Sequence, residues 1–365
     1  MATNVDGMGS VVAQHYNKLQ EKGKEQRKDS RIYFMRNFNN WIKSTLIQEY
    51  IEKIRDRHED PGYKINVLDI GKFLLSIVIS TISTYVPRYN VLLYYIGCGK
   101  GGDLLKWQRS NVSHVVGVDI AGTSIEQCKE RYKDMCHKGR GRLFRGEFYA
   151  ADCTKTRIQD LYSDRDIQFD LVSCQFAFHY CFESLGQAEC MLRNISENLQ
   201  KGGYFIGTTP NSDDIMARLQ AAGGRSFGNN VFSVTFPPDT GTSRQPPLFG
   251  AEYTFHLEEV VDCPEFLVHF PTFVKLAEKF GLLMVGKERF QNYFNKKLKG
   301  PGKSLLNKMN ALECYPSSKL VGGEDQYDHA QVTLQTENVE QFGTLTKDEW
   351  EALTIYVIFA FKKMN

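Results

Sequence analysis

The chain has 365 residues, 42% hydrophobic and 24% charged, the balance of an ordinary globular enzyme with room for one large domain or two small ones. Its 45 Lys and Arg against 43 Asp and Glu leave a net charge of +2, which excludes bulk attraction to nucleic acid; any anionic ligand must meet a local basic patch. Nine Cys without a CxxC pair, and no secretory signal at the start, argue against a disulfide framework or zinc site and point to reduced thiols in the cytosol or nucleus.

In chain order, residues 1–14 read as a loose N-terminus, and 15–365 as a single domain. Val11 to Lys22 and Phe38 to Arg57 carry apolar residues at helical spacing, with Trp41, Leu46, Tyr50, Ile51 and Ile54 in one stripe. Strand-like runs then alternate with amphipathic helices. They are Ile65 to Ile70, a helix from Asp103, Val115 to Ile120, a helix from Thr123 to Met135, Phe148 to Ala151, Phe169 to Gln175, a helix from Ser184 to Leu199, and Gly203 to Gly207. That order predicts an α/β fold, a mostly parallel twisted sheet with helices on both faces. The stretch 237–250 is rich in Pro, Gly and Thr and reads as a surface loop. Beyond it, strands near Ala251 to Leu257, Leu282 to Phe290 and Thr354 to Phe361 flank helices near Phe273 to Phe280 and Ser304 to Leu312. These are expected to cover the sheet's ligand edge. The most apolar stretch, Phe73 to Ile96, is broken by Thr81, Ser83, Pro87 and Arg88, short of the roughly 18 apolar residues a membrane span needs, so no membrane partner is expected.

Gly97-Cys98-Gly99-Lys100-Gly101-Gly102 follows an apolar strand and opens a helix, where glycines let backbone approach a ligand and free helix N–H groups face it. Asp119 ends the next strand, placed for a ribose diol, and both features suit NAD as well as S-adenosylmethionine. Two more polar strand ends share that edge. Asp152 is suited to accept from an adenine amino group, while Gln175, with Tyr180 nearby, is suited to a methionine moiety. Together they favour S-adenosylmethionine.

Five segments resemble the eukaryotic mRNA cap guanine-N7 methyltransferases: Arg36 to Lys43, Gly97 to Trp107, Cys174-Gln175-Phe176 with His179-Tyr180, Gly207 to Asn211, and Pro264 to Leu267. The likeness runs from about His15 to the C-terminus in unbroken order. It implies the class I methyltransferase fold, with N-terminal helices and C-terminal additions over the ligand edge. By position it implies that Lys43, Gly97, Asp119, Asp152, Gln175 and Tyr180 bind S-adenosyl-L-methionine. It also implies that Asn39, Asn40, Lys100, Lys106, Arg131, His179, Glu265 and Tyr356 lie at or beside the pocket for the capped 5′ end of mRNA. It further implies nuclear location and leaves room for a small activating subunit. Plainer roles stand beside these: helix capping for Asn39 and Asn40, solvated helix charge for Lys106 and Arg131, a local backbone contact for His179, and packing for Tyr356. Glu265 has a sharper rationale, since a carboxylate accepts from both the N1–H and the exocyclic amine of guanine. No metal is expected, and no general base either, because guanine N7 carries a lone pair and no proton at neutral pH.

The sequence departs from that family at residues 71–96, an insertion that separates Val67-Leu68-Asp69-Ile70 from the glycine loop. Its junctions, Gly71-Lys72-Phe73 and Ile96-Gly97, are compatible with splice-site codons and so with a retained in-frame intron. Ile65 to Ile70 and Val91 to Ile96 then compete for one central strand slot. Continuity into the Gly97 turn favours Val91 to Ile96, and a disrupted cofactor site would leave an inactive cap-binding isoform or scaffold as the alternative function.

Overall fold

The computed structural model describes residues 30–58, 63–70, 99–139, 143–238 and 246–364. Gly97, the helical pattern at Val11 to Lys22, the insertion at 71–96 and residues 239–245 of the 237–250 loop therefore lie outside the described residues.

Among these residues seven strands form the main sheet: β1 (Asn66–Ile70), β2 (His114–Asp119), β3 (Arg145–Ala150), β4 (Phe169–Gln175), β5 (Leu199–Pro210), β10 (Leu282–Arg289) and β13 (Tyr356–Lys363). Their spatial order is β10-β13-β5-β4-β1-β2-β3. All neighbours from β3 through to β5 run parallel, whereas β13 is antiparallel to both β5 and β10. Chain order reverses between β1 and β4, and such a switch point opens a crevice at the C-terminal strand ends. Because β13 runs the other way, its first residue, Tyr356, pairs with Pro210 at that same edge.

Two expectations need correcting. Asn66–Ile70, not Val91 to Ile96, fills the central slot, with Asn66 to Ile70 in register against His114 to Val118 and Val67 to Asp69 against Leu171 to Ser173. Pairing on both sides outweighs continuity into the glycine turn. Of the C-terminal additions, Ala251 to Leu257 does lie over the ligand edge, as β8 (Glu252–Leu257), whereas β10 and β13 widen the main sheet. The cover is a second, antiparallel sheet of β6 (Ser226–Gly228), β7 (Phe232–Thr235), β8 (Glu252–Leu257) and β9 (Val261–Phe266).

Helix α1 (Tyr33–Arg57) begins five residues before the sequence pattern suggests, and Met35, Phe38, Trp41, Ile42, Leu46, Ile51 and Ile54 are all buried along it. Each such side chain contributes about 1.5–3 kcal/mol. The indole Nε1 of Trp41 donates to the Gly302 carbonyl at 2.9 Å, so burying this ring leaves no polar group unpaired. The switch-point edge is followed by α2 (Leu104–Arg109) and α3 (Gly122–His137), and α4 (Leu185–Asn198) precedes β5. Next come α5 (Ser212–Ala222), α6 (Phe270–Lys279), α7 (Phe290–Lys297) and α8 (Pro301–Lys308). A small hairpin-like pair, β11 (Glu313–Tyr315) and β12 (Phe342–Thr344), flanks α9 (Asp328–Glu337), and α10 (Lys347–Thr354) leads into β13. Glu349 on α10 accepts from the Met35 amide at 3.1 Å, capping an otherwise open N–H in the first turn of α1.

The two candidate strands can be told apart by substitution. Leu68 is fully buried in the central strand, so Leu68→Ala should cost about 2–5 kcal/mol by urea unfolding. A change below about 0.5 kcal/mol, typical of a surface site, would mean that another segment holds the slot.

Candidate functional site

A cleft lies over the switch-point edge, walled by α1, the turn after β4, the β8–β9 hairpin and the start of β13. Helix α1 contributes Ile32 just before its start, then Met35, Arg36, Asn39, Asn40 and Lys43, a spacing of three or four that aligns them on one face. The turn contributes Phe176, His179 and Tyr180, the hairpin Leu257, Val260, Val261 and Glu265, and β13 contributes Tyr356.

Phe176 sits at φ 57°, a left-handed conformation that a non-glycine residue adopts only under constraint. Its backbone N–H donates to the Thr208 Oγ1 at 2.8 Å, which fixes that conformation. The ring meets Tyr356 edge-on at 5.1 Å, and Tyr356 packs on Phe290 at 5.6 Å. Tyr356 thus both packs and faces the cleft. Burial and the nearby Glu265 carboxylate push its phenol well above its usual pKa, so it stays a neutral donor.

Glu265 is 4% exposed. Its Oε2 accepts from the Tyr253 hydroxyl at 2.8 Å and its Oε1 from the Tyr180 hydroxyl at 3.5 Å. His179 Nε2 is 3.3 Å from Oε1 but without hydrogen-bond alignment, and neither ring nitrogen of this buried histidine has a hydrogen-bond partner. The plainer role, a local backbone contact, is therefore wrong for His179. Asn39 Oδ1 is likewise buried without a partner. Both Asn39 and Asn40 lie a full turn or more inside α1, so neither caps it.

Asn40 Oδ1 instead accepts from Lys106 Nζ at 3.0 Å. Lys106 also closes on Asp103, whose carboxylate meets Lys43 Nζ at 2.9 Å from the other side. Burial works against the Asp103 charge, yet Lys106 and Lys43 prevail and hold its pKa down at about 2. For Lys106, burial dominates over the attraction of Asp103 and lowers the ammonium to about 8. Solvated helix charge does not describe it, with its side chain only 11% exposed.

Gly101 takes φ 76°, and a Cβ there would press into Leu104, so this turn requires glycine. Asp119 braces the loop: Oδ2 accepts from the Gly99 amide at 3.2 Å and Oδ1 from Ala121 at 2.8 Å. Asp152 Oδ1 accepts from the Thr154 amide and hydroxyl at 2.9 and 2.6 Å. Gln175 donates to Ser173 at 3.0 Å, while its buried Oε1 has no partner. The structure thus brings Lys43, Tyr180, Asn39, Asn40, His179, Glu265 and Tyr356 into one cleft. Asp119, Asp152 and Gln175 lie at or just beyond neighbouring strand ends, and Lys106 one contact away; Lys100 and Arg131 do not line the cleft. The sequence reading missed Arg36 and Met35, although both share the helical spacing of Asn39, Asn40 and Lys43. Among the described residues no His, Cys, Asp or Glu cluster is arranged for a metal, and no helix is long and apolar enough to cross a membrane.

The chain matches the mRNA (guanine-N(7))-methyltransferase domain over residues 1–87 and 72–364. It is 45% identical to the mRNA cap guanine-N(7) methyltransferase of Drosophila melanogaster, covering 97% of this chain and 77% of that one. The corresponding protein of Caenorhabditis elegans is 39% identical, with 97% and 87% covered, and that of Oryza sativa subsp. japonica 34%, with 96% and 80%. Nothing in these similarities supports either the inactive scaffold or an NAD-dependent enzyme. The chain belongs to the mRNA cap guanine-N7 methyltransferase family, whose members transfer a methyl group from S-adenosylmethionine to N7 of the cap guanine.

Proposed function

We propose that the cleft beneath the β8–β9 hairpin is the cap-guanine site and that the adjoining switch-point crevice holds the cofactor. Glu265 carries this reading. A buried carboxylate, aimed by two tyrosine hydroxyls, is matched to the paired N1–H and N2–H donors of guanine, whereas adenine offers an acceptor at N1. Phe176 and Tyr356 supply aromatic surface for the purine ring, and the open acceptor on Asn39 and the nitrogens of His179 are available to its polar edge and ribose.

The residues at the crevice fit S-adenosylmethionine. The orphaned Gln175 Oε1 is suited to the amino group of its methionine portion and Lys43 to the carboxylate, with Tyr180 alongside. At its strand end Asp119 is placed for a ribose diol, and Asp152, whose Oδ2 makes only a wide 3.8 Å ion pair with Lys155, is suited to an adenine amine. Gly97 completes the set by resemblance.

When bound, the cofactor supplies a methyl group on a positively charged sulfur. What this chain adds is placement. With the guanine edge held by Glu265, the N7 lone pair attacks without a general base, and near-attack alignment is the principal source of rate. The Glu265 charge also favours the positive charge that the purine acquires. Lys100 and Arg131 would meet the cap phosphates through charge-assisted hydrogen bonds, while Lys106, held by Asn40 and Asp103, would add its charge beside them without direct contact. A nuclear place of work, and an activating subunit like that of animal members, rest on family membership alone.

Glu265→Gln should lower kcat/KM for guanosine-capped RNA by about a hundredfold or more, because an amide cannot accept both donors, while S-adenosylmethionine affinity stays within a few-fold. Equal loss of both affinities would place Glu265 outside guanine recognition.

Lys106 gives a pH test with a defined sign. Its ammonium is charged below about pH 8 and neutral above, so kcat/KM for capped RNA should fall between pH 7 and 9. In Lys106→Arg, whose guanidinium stays charged, the fall should vanish. The same fall in both proteins would assign the titration to another group.

A further inference from the structure

The hairpin that carries Glu265 and the helix that carries Asn39, Asn40 and Lys43 belong to different parts of the fold, yet the cleft exists only while they stay opposed. Between β8 and β9 the turn residues Glu258 and Glu259 reach back to the residues just before α1 and to its first turn. Arg36 Nη2 lies 3.5 Å from Glu259 Oε2, with side chains 7% and 24% exposed. Arg31 Nη1 lies 3.8 Å from Glu258 Oε2, a wider and more open pair at 34% and 37% exposure. Glu259 takes φ 61°, in the left-handed region that a residue with a side chain rarely adopts. Arg36 itself faces the cleft one helical turn before Asn39 and Asn40.

We propose that Arg36 and Glu259 form a latch that holds the β8–β9 hairpin against α1 and so sets the position of Glu265 over the guanine. Arg36 is then a positioning residue, and its charge is committed to the hairpin turn, not to a cap phosphate. The inner pair is the effective one, because burial spares it the screening that weakens Arg31–Glu258. Val260, next in the turn, and Val261 at the start of β9 are carried down with it and close the apolar side of the cleft. This inference rests on the guanine reading of the cleft, but the latch itself can be read without substrate.

The test is a double-mutant cycle on the full chain with Arg36→Gln, Glu259→Gln and the double variant. Affinity is measured for the dinucleotide GpppG, and amide hydrogen exchange for residues 252–266 without ligand. A latch predicts that each single change weakens GpppG about tenfold and that the double variant is also about tenfold weaker, not about a hundredfold. Exchange across the hairpin should rise in all three. Additive losses, or a Glu259→Gln protein that binds GpppG like wild type while Arg36→Gln does not, would overturn the latch in favour of direct contact between Arg36 and the cap. Unchanged hairpin exchange in both single variants would also overturn it. A wild type that fails to bind GpppG would instead refute the guanine reading, with hairpin exchange still reporting on the latch.

Discussion

Asp103 lies buried where the glycine loop turns into α2, and its charge is tolerable there because Lys43 closes on it from α1 and Lys106 from α2. A buried carboxylate left alone would lose several kcal/mol of hydration. Held between two ammonium groups, it fastens the long N-terminal helix to the glycine loop. The bond to Asn40 extends the same network into the wall of the cleft. One cluster thereby fixes the distance between the cleft and the glycine loop, which in the proposed arrangement is the quantity on which an in-line methyl transfer depends.

Helix α1 serves both the cleft and the glycine loop. Its buried apolar residues anchor it against the sheet and α7–α8, while the face bearing Arg36, Asn39, Asn40 and Lys43 is spared for polar work. Glu349 caps its first turn and the hairpin ion pairs steady its cleft side. The roof is a separate small sheet, which explains why a carboxylate as buried as Glu265 is possible at all. Tyr253 and Tyr180 compensate for its lost water, and the hairpin excludes solvent from the edge it presents.

Alternating apolar runs were enough to read the parallel core, because β2, β4 and the helices between them follow regular periodicities. Tyr356 and Glu265 were legible only through family resemblance, since nothing local to either shows that a reversed last strand or an overlying hairpin brings it to the edge. Of the roof sheet only β8 was legible, as the run Ala251 to Leu257, and the rest escaped for a physical reason: β6 and β7 are short, and Pro264 argues against a strand. In fact β9 is an edge strand, where a missing N–H is harmless. The central slot was misjudged because chain continuity was weighed above pairing, whereas Asn66–Ile70 is hydrogen-bonded to neighbours on both sides. The plainer role for Lys106, a solvated helix charge, fails because one of the partners that bury it, Asn40, comes from a helix far away in sequence.

The most direct measurement is transfer of labelled methyl from S-adenosylmethionine to guanosine-capped RNA by the full chain, with the product digested to locate the methyl group. The account predicts label on guanine N7 of the cap and none on adenosine-capped RNA of the same sequence. Label elsewhere, equal labelling of both caps, or no transfer by a folded chain that binds both ligands would contradict it.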